Sequence, residues 1–234
     1  MSEQPGQPSP PPPPSSGSLI ATLGGIAMLS GFFVVLTFQL TAPRIERNKQ
    51  AALEKAVFAV LPEAVVRKNF HLDADGLVPL PDAEFARANL FAGYAADGRL
   101  AGLAMEASAR GYQDVVTILY GYSPETRCVI GFTVLQSTET PGLGDKVETD
   151  PQFLANFGCL EARLNPEGTA MANEIVTVKH GKKAHPWEID GISGATVTSV
   201  AIGTALRRST SEMLPLLERF KDALPLHIEP PAGP

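Results

Sequence analysis

The stretch SLIATLGGIAMLSGFFVVLTFQL, Ser18 to Leu40, carries no charge, and it limits what this chain can fold into more than any other feature. As a helix rising about 1.5 Å per residue it reaches about 34 Å, enough to cross the roughly 30 Å hydrocarbon core of a bilayer. No polar stripe marks one side of it, as a helix half-buried in a soluble core would show. It has neither a basic segment in front nor a small-x-small cleavage site behind, so it reads as a retained membrane span rather than a cleaved signal.

The flanks differ in character. Residues 1–17 contain no Lys or Arg, and Pro10 to Pro14 is unbroken proline. Such a segment cannot pack a core and reads as a solvated, polyproline-like tail. Arg44, Arg47 and Lys49 follow the span. By the positive-inside rule alone, that bias puts the C-terminal part in the cytoplasm. From residue 41 to 62 an apolar stripe (Ala52, Leu53, Ala56, Val57, Val60) runs among charges and Pro62 closes it, which predicts a juxtamembrane helix continuing the span.

Residues 63–224 have the size and patterning of one folded domain, and residues 225–234 read as a loose tail. NLFAGYAADGRLAGLAMEA predicts two strands about the Asp97-Gly98 turn, and DVVTILYGYSPETRCVIGFTVLQ two more about Ser123-Pro124-Glu125. A short helix is expected over Asp150–Phe157 and a strand over Asn173–His180. Two helical stretches are expected, Val197–Arg208 and Ser211–Leu224. The fold class is therefore α+β: a single N-terminal transmembrane helix, then an antiparallel sheet with flanking helices. A net charge of −6 and the lack of a basic stripe argue against nucleic acid as a partner. The four histidines have no ligand spacing, so no metal or haem is expected. Cys128 and Cys159 have apolar neighbours. They read as buried free thiols, or as a disulfide if the domain lies outside the cytoplasm.

The segment EIDGISGATVTSV, Glu188 to Val200, concentrates small and hydroxyl side chains just before a helical run. Gly191 and Gly194 allow tight turning, and the start of a helix offers unpaired N–H groups and positive potential. This suits a phosphate or other anion. The bland alternative is a loop whose Ser or Thr only caps the helix. There is no Walker lysine and no dinucleotide fingerprint.

Asp190-Gly191-Ile192-Ser193-Gly194-Ala195-Thr196 resembles the signature of the covalent FMN-binding domain family. STETPGLGDKVE, Ser137 to Glu148, is similar to the corresponding segment of the G subunit of the Rnf electron transport complex and of its relative, the C subunit of the sodium-pumping NADH:quinone reductase. The order of elements matches as well: membrane helix, juxtamembrane helix, Gly111-Tyr112, Gly-Leu-Gly loop and attachment motif.

The resemblance implies FMN joined by a phosphoester bond to Thr196. Asp190, Ser193, Gly194, Ala195 and Thr198 would surround the linkage, and Tyr112, Thr140, Gly142, Leu143, Gly144 and Lys146 would lie by the flavin. For Asp190 a turn-forming role is as good a reading, for Ser193 and Thr198 a capping role, for Tyr112 a packing role and for Lys146 a solvated one. No His or Lys lies within the motif to activate the threonine, so the family's separate flavin transferase, acting on FAD with a divalent metal, is expected to load it.

No catalytic residue is assigned. The chain is expected to relay electrons inside an ion-translocating ferredoxin:NAD oxidoreductase, an enzyme only as a complex. Its expected partners are the other membrane subunits and the bilayer. The family places the flavin domain on the periplasmic side of the bacterial inner membrane, against the charge bias. The alternatives are the corresponding chain of the sodium-pumping reductase and a flavin-free, membrane-anchored assembly module. Asp114 stands where family members often have Gly after the Gly-Tyr pair.

Overall fold

The computed structural model describes residues 15–230; the proline run and the last residues of the C-terminal tail lie outside them. Helix α1 (Ser16–Val60) is unbroken and joins the expected span and juxtamembrane helix, with Pro43 inside it. The chain forms two compact units, 1–49 and 50–234. In the first, Ile20, Phe33, Val34 and Leu40 are all exposed on the helix surface. Only an apolar medium makes such a surface favourable, and the helix is long and apolar enough to cross a membrane. The folded unit begins at Gln50 rather than at residue 63, because the last turns of α1 are part of its core: Ala56, Val57, Val60 and the following Leu61 are buried.

Seven strands form one sheet in the order β2-β1-β3-β4-β5-β6-β7, with every neighbouring pair antiparallel. The two expected hairpins are β3 (Leu90–Tyr94) with β4 (Leu100–Arg110), and β5 (Val115–Ser123) with β6 (Cys128–Gln136). Gly98 takes φ +85° in the first turn, and the Asp97 carboxylate accepts the Arg99 N–H at 3.0 Å. Strands β1 (Val66–Leu72) and β2 (Leu77–Leu80) were not legible in the sequence. β1 carries Arg67, Lys68, Asn69 and His71 in seven residues, so apolar alternation is lost. Arg67 is nevertheless held by Glu54 of α1 and by the ring of Phe85, 4.3 Å away. Strand β7 (Leu160–Glu161) completes the edge and is stapled to β6 by a Cys128–Cys159 disulfide, with Cα atoms 5.1 Å apart. The free-thiol reading is thereby replaced.

One face of the sheet receives the end of α1. A Cβ at Gly102 would stand 2.7 Å from Leu61 Cδ2, and one at Gly121 would strike the Val60 carbonyl oxygen. Glycine at these sites is what lets the helix end sit against the strands. The other face carries Leu103, Met105, Ile118 and Tyr120 and packs on α3 (Thr196–Arg219). Helix α3 is one helix, not two. Pro215 lies inside it, where the missing N–H frees only the carbonyl of exposed Ser211. The stripe Ile202, Leu206, Leu214 and Leu217 stays buried along the sheet, and packing outweighs that one lost bond.

The domain also contains the short helix α2 (Pro151–Leu154) and a parallel pair, β8 (Val176–Val178) and β9 (Glu188–Asp190). Gly203 of α3 leaves room for Thr177 of β8, whose hydroxyl donates to the Ser199 carbonyl at 3.2 Å.

Candidate functional site

Strand β9 ends at Asp190 and the chain turns through Gly191–Ala195 into α3. Gly194 makes the turn at φ +86°, in the left-handed region that favours glycine. Ala195 occupies the N-cap and no side chain caps the helix. The Ser199 N–H bonds the Ala195 carbonyl at 2.9 Å, closing the first turn, so the N–H groups of Thr196, Val197 and Thr198 precede the ladder. Thr196 is the first helical residue and is exposed. Its hydroxyl has one hydrogen-bond partner, the Ile192 carbonyl, at 3.4 Å.

The capping alternative fails in this geometry. Ser193 is exposed and bonds nothing in the helix. The Ser199 hydroxyl accepts the Ile192 N–H (3.1 Å) and donates to the Ala195 carbonyl (2.9 Å), which braces the loop from inside. Thr198 is buried, and its hydroxyl donates to the Glu139 carboxylate at 2.5 Å. That proton is then engaged, so Thr198 neither caps the helix nor has an O–H to offer a phosphate.

Glu139 was not singled out from the sequence, although it opens the Glu-Thr-Pro-Gly-Leu-Gly segment. The structure makes it the knot of the site. Its Oε1 accepts the Gln113 N–H at 3.0 Å, with the Tyr112 and Asp114 N–H groups also turned toward the carboxylate. Burial pushes its pKa up, but the bonds from Thr198 and from these main-chain N–H groups outweigh it and hold the carboxyl below the ordinary range. Gly111 and Gly144 are pressed against it: a Cβ at Gly111 would stand 2.7 Å from Oε1, and one at Gly144 would stand 2.5 Å from Glu139 Cβ. The Gln113 side chain donates to the Thr140 hydroxyl at 2.8 Å, and the Thr140 carbonyl accepts the N–H groups of Leu143 and Gly144.

Around this knot Tyr112 (71% exposed) and Leu143 (49% exposed) present apolar surface to solvent, as does Val197 beside Thr196. The packing alternative for Tyr112 is thus excluded. The departure at Asp114 is accommodated: its carbonyl accepts the Gly111 N–H at 2.7 Å and its carboxylate the Val115 N–H at 2.8 Å.

On the other side of the 190–196 loop is a cleft of about 320 Å³, lined by Lys146, His180, Asp190 and Ser193 among others. Asp190 braces this side. Its carboxylate accepts the Gly181 N–H at 2.7 Å, with His180 Nδ1 3.6 Å away. Its main chain is held on both sides by buried Asn156, which accepts the Asp190 N–H (3.0 Å) and donates to the Asp190 carbonyl (3.2 Å). Lys183 donates to the same Asn156 oxygen at 3.0 Å; burial moves its pKa down, opposed by Asp190 and Glu188. The turn formed by Asp190 is therefore with residue 181, across the strand pair. Trp187 stacks on His185 (4.5 Å, interplanar 1°) at the start of β9, the end of the strand away from the loop. Gly142 takes φ +79°, in the left-handed region that favours glycine, and no described atom lies within 4 Å of a Cβ built there.

Comparison with known proteins follows this division of the chain. Residues 111–211 match the FMN-binding domain, and residues 21–60 match the RnfG N-terminal region. The G subunit of the ion-translocating oxidoreductase complex of Vibrio cholerae serotype O1 is 30% identical over 193 residues, covering 80% of this chain and 85% of that protein. The G subunit of Methanosarcina acetivorans is 26% identical over 191 residues, covering 80% and 89%. Among solved structures, the C subunit of the Na(+)-translocating NADH-quinone reductase from Parabacteroides distasonis superposes with a TM-score of 0.57 at 19% identity, over 74% of this chain and 96% of that one. This last likeness concerns the fold.

Proposed function

Because this chain belongs to the family of G subunits of ion-translocating oxidoreductase complexes, we propose that it is the membrane-anchored electron relay of such a complex and carries FMN in phosphoester linkage on Thr196. One observation carries the reading: an exposed threonine hydroxyl stands at the first position of a long helix whose leading N–H groups no side chain caps. A phosphate monoanion fits there, because the N–H groups and the helix dipole favour negative charge and the Gly191–Ala195 turn keeps bulk away.

Thr196 cannot activate itself. Its one partner is a main-chain carbonyl, which takes no proton, and a neutral hydroxyl is a weak nucleophile. The base must come from a transferase. Loading from FAD would join Thr196 Oγ to the FMN-side phosphorus, with the pyrophosphate P–O bond broken, AMP as the leaving group and the hydroxyl proton passed to that base.

Bound flavin would supply electron transfer; the protein positions it and sets its electrostatics. Tyr112, Leu143 and Val197 are exposed apolar side chains on segments that Glu139 ties to the start of α3, and they are available to the other membrane chains of the complex. The cleft on this loop is polar and of mixed charge, with Lys146 and His180 set among Asp150 and Asp190. The flavin domain faces the periplasm. The Cys128–Cys159 disulfide supports this side, since disulfides persist in oxidising compartments. It outweighs a bias of three cations, Arg44, Arg47 and Lys49, opposite a tail that carries neither Lys nor Arg.

The test is the intact mass of the membrane-extracted, denatured protein, wild type beside Thr196→Val, both produced with the transferase. The wild type should carry FMN less one water and the variant should not. A wild type of unmodified mass overturns the attachment.

A further inference from the structure

Glu139 is a buried carboxylate with no formal cation among its partners in the described residues, which are the Thr198 hydroxyl and the main-chain N–H groups of the 112–114 turn. A buried charge of this kind is costly unless it is fully hydrogen-bonded, and here it is. The bonds that satisfy it tie together three segments far apart in sequence, its own and two that donate to it. Thr198 belongs to the first turn of α3, two residues after Thr196 and on the same turn. Gln113 belongs to the turn that displays Tyr112. Glu139 itself begins the loop that displays Leu143, and it is wedged between Gly111 and Gly144, neither of which has room for a side chain.

The three exposed elements beside Thr196 therefore have one common anchor, and that anchor keeps its negative charge. We propose that Glu139 is the positioning residue of the attachment site: its carboxylate locks the Thr196 turn, the Tyr112 turn and the Leu143 loop into one cradle, and its uncompensated charge lowers the reduction potential of the group carried there. This rests on the reading of Thr196 as the FMN attachment point. An electron added close to a fixed negative charge is disfavoured.

Two isosteric changes separate the lock from the charge. Glu139→Gln keeps the shape and one acceptor oxygen but removes the charge. Thr198→Val keeps the charge but removes the bond to α3. The full-length protein is produced with its flavin transferase, FMN incorporation is followed by intact mass, and the potential of the bound flavin is read by spectroelectrochemical titration. Thr198→Val should slow incorporation about tenfold or more, since misplacement by about 1 Å has costs of that order, and the loaded fraction should keep the wild-type potential. Glu139→Gln should give a potential above wild type.

A Glu139→Gln protein that loads at the wild-type rate with the wild-type potential overturns the proposal while leaving the attachment intact. If Glu139→Gln does not fold, Thr198→Val decides alone, and unchanged incorporation overturns the lock. A wild type that carries no FMN mass sinks the attachment reading first, and this one with it.

Discussion

Removing the Cys128–Cys159 bridge tests both the stability of the sheet edge and the side of the membrane on which the domain folds. The bridge spans a sequence separation of 31 residues and joins Cys128, at the start of β6, to Cys159, one residue before the two-residue strand β7. Strand β7 has only two register pairs of its own, Cys128 with Glu161 and Val129 with Leu160. The covalent link does for this edge what hydrogen bonds on a longer strand would do. For a loop of that length, the chain-entropy relation gives about 12 cal/mol/K of lost unfolded-state entropy, or about 3.7 kcal/mol at 25 °C.

A folded unit of this size shifts its midpoint by about 2–4 °C per kcal/mol, so Cys128→Ala with Cys159→Ala should lower Tm by roughly 7–15 °C. Alanine at both sites avoids placing a hydroxyl at buried position 128. The assay is thermal unfolding of the detergent-solubilised full chain, oxidised wild type against the double variant. Alkylation of the denatured, unreduced protein should add no label to wild type extracted from membranes. A variant as stable as wild type to within about 1 kcal/mol would refute the constraint, judged against an expected 2–4 kcal/mol. Two labelled thiols in the wild type would refute the pairing and remove the structural support for a periplasmic domain.

Acid stability should report Glu139. Its carboxyl is held below the ordinary value of 4.5, so its stabilising contribution is fully present above that pH and is lost as pH falls through the lower, folded-state value. Chemical denaturation from about pH 5 to about pH 3 should show a shallower loss in Glu139→Gln than in wild type. Leu61→Ala should cost about 3 kcal/mol, because the Leu61 side chain is 1% exposed and fills the hollow left by Gly93 and Gly102; the same change at exposed Leu226 should be nearly neutral in the same thermal assay.

Much of this molecule could be read locally. The uncharged run from Ser18 to Leu40 requires an apolar medium whatever follows it, because hydropathy acts on each residue independently of the fold. The β3–β4 and β5–β6 hairpins were legible because alternation and turn residues lie within about twenty residues of each other. The Gly-rich turn into α3 was legible because a threonine, two glycines and a helix start are contiguous. The β1 and β2 strands were not, since polar β1 becomes a strand through Glu54, Phe85 and β3, contacts that its own pattern does not contain. Pro215 was misleading for a related reason: a local helix breaker is tolerated where a buried stripe on the sheet holds both halves in line.

The role of Glu139 belonged wholly to tertiary structure. Its partners lie 26 and 59 residues away, and nothing in the Glu-Thr-Pro-Gly-Leu-Gly segment shows that the carboxylate turns inward to a threonine of α3. The sequence determined which family motif this chain displays, because that depends on residue types in a short run. Only folding decided that the Glu139 carboxylate ties the start of α3 to the 112–114 turn, because those bonds depend on distances that the sheet and α3 set together.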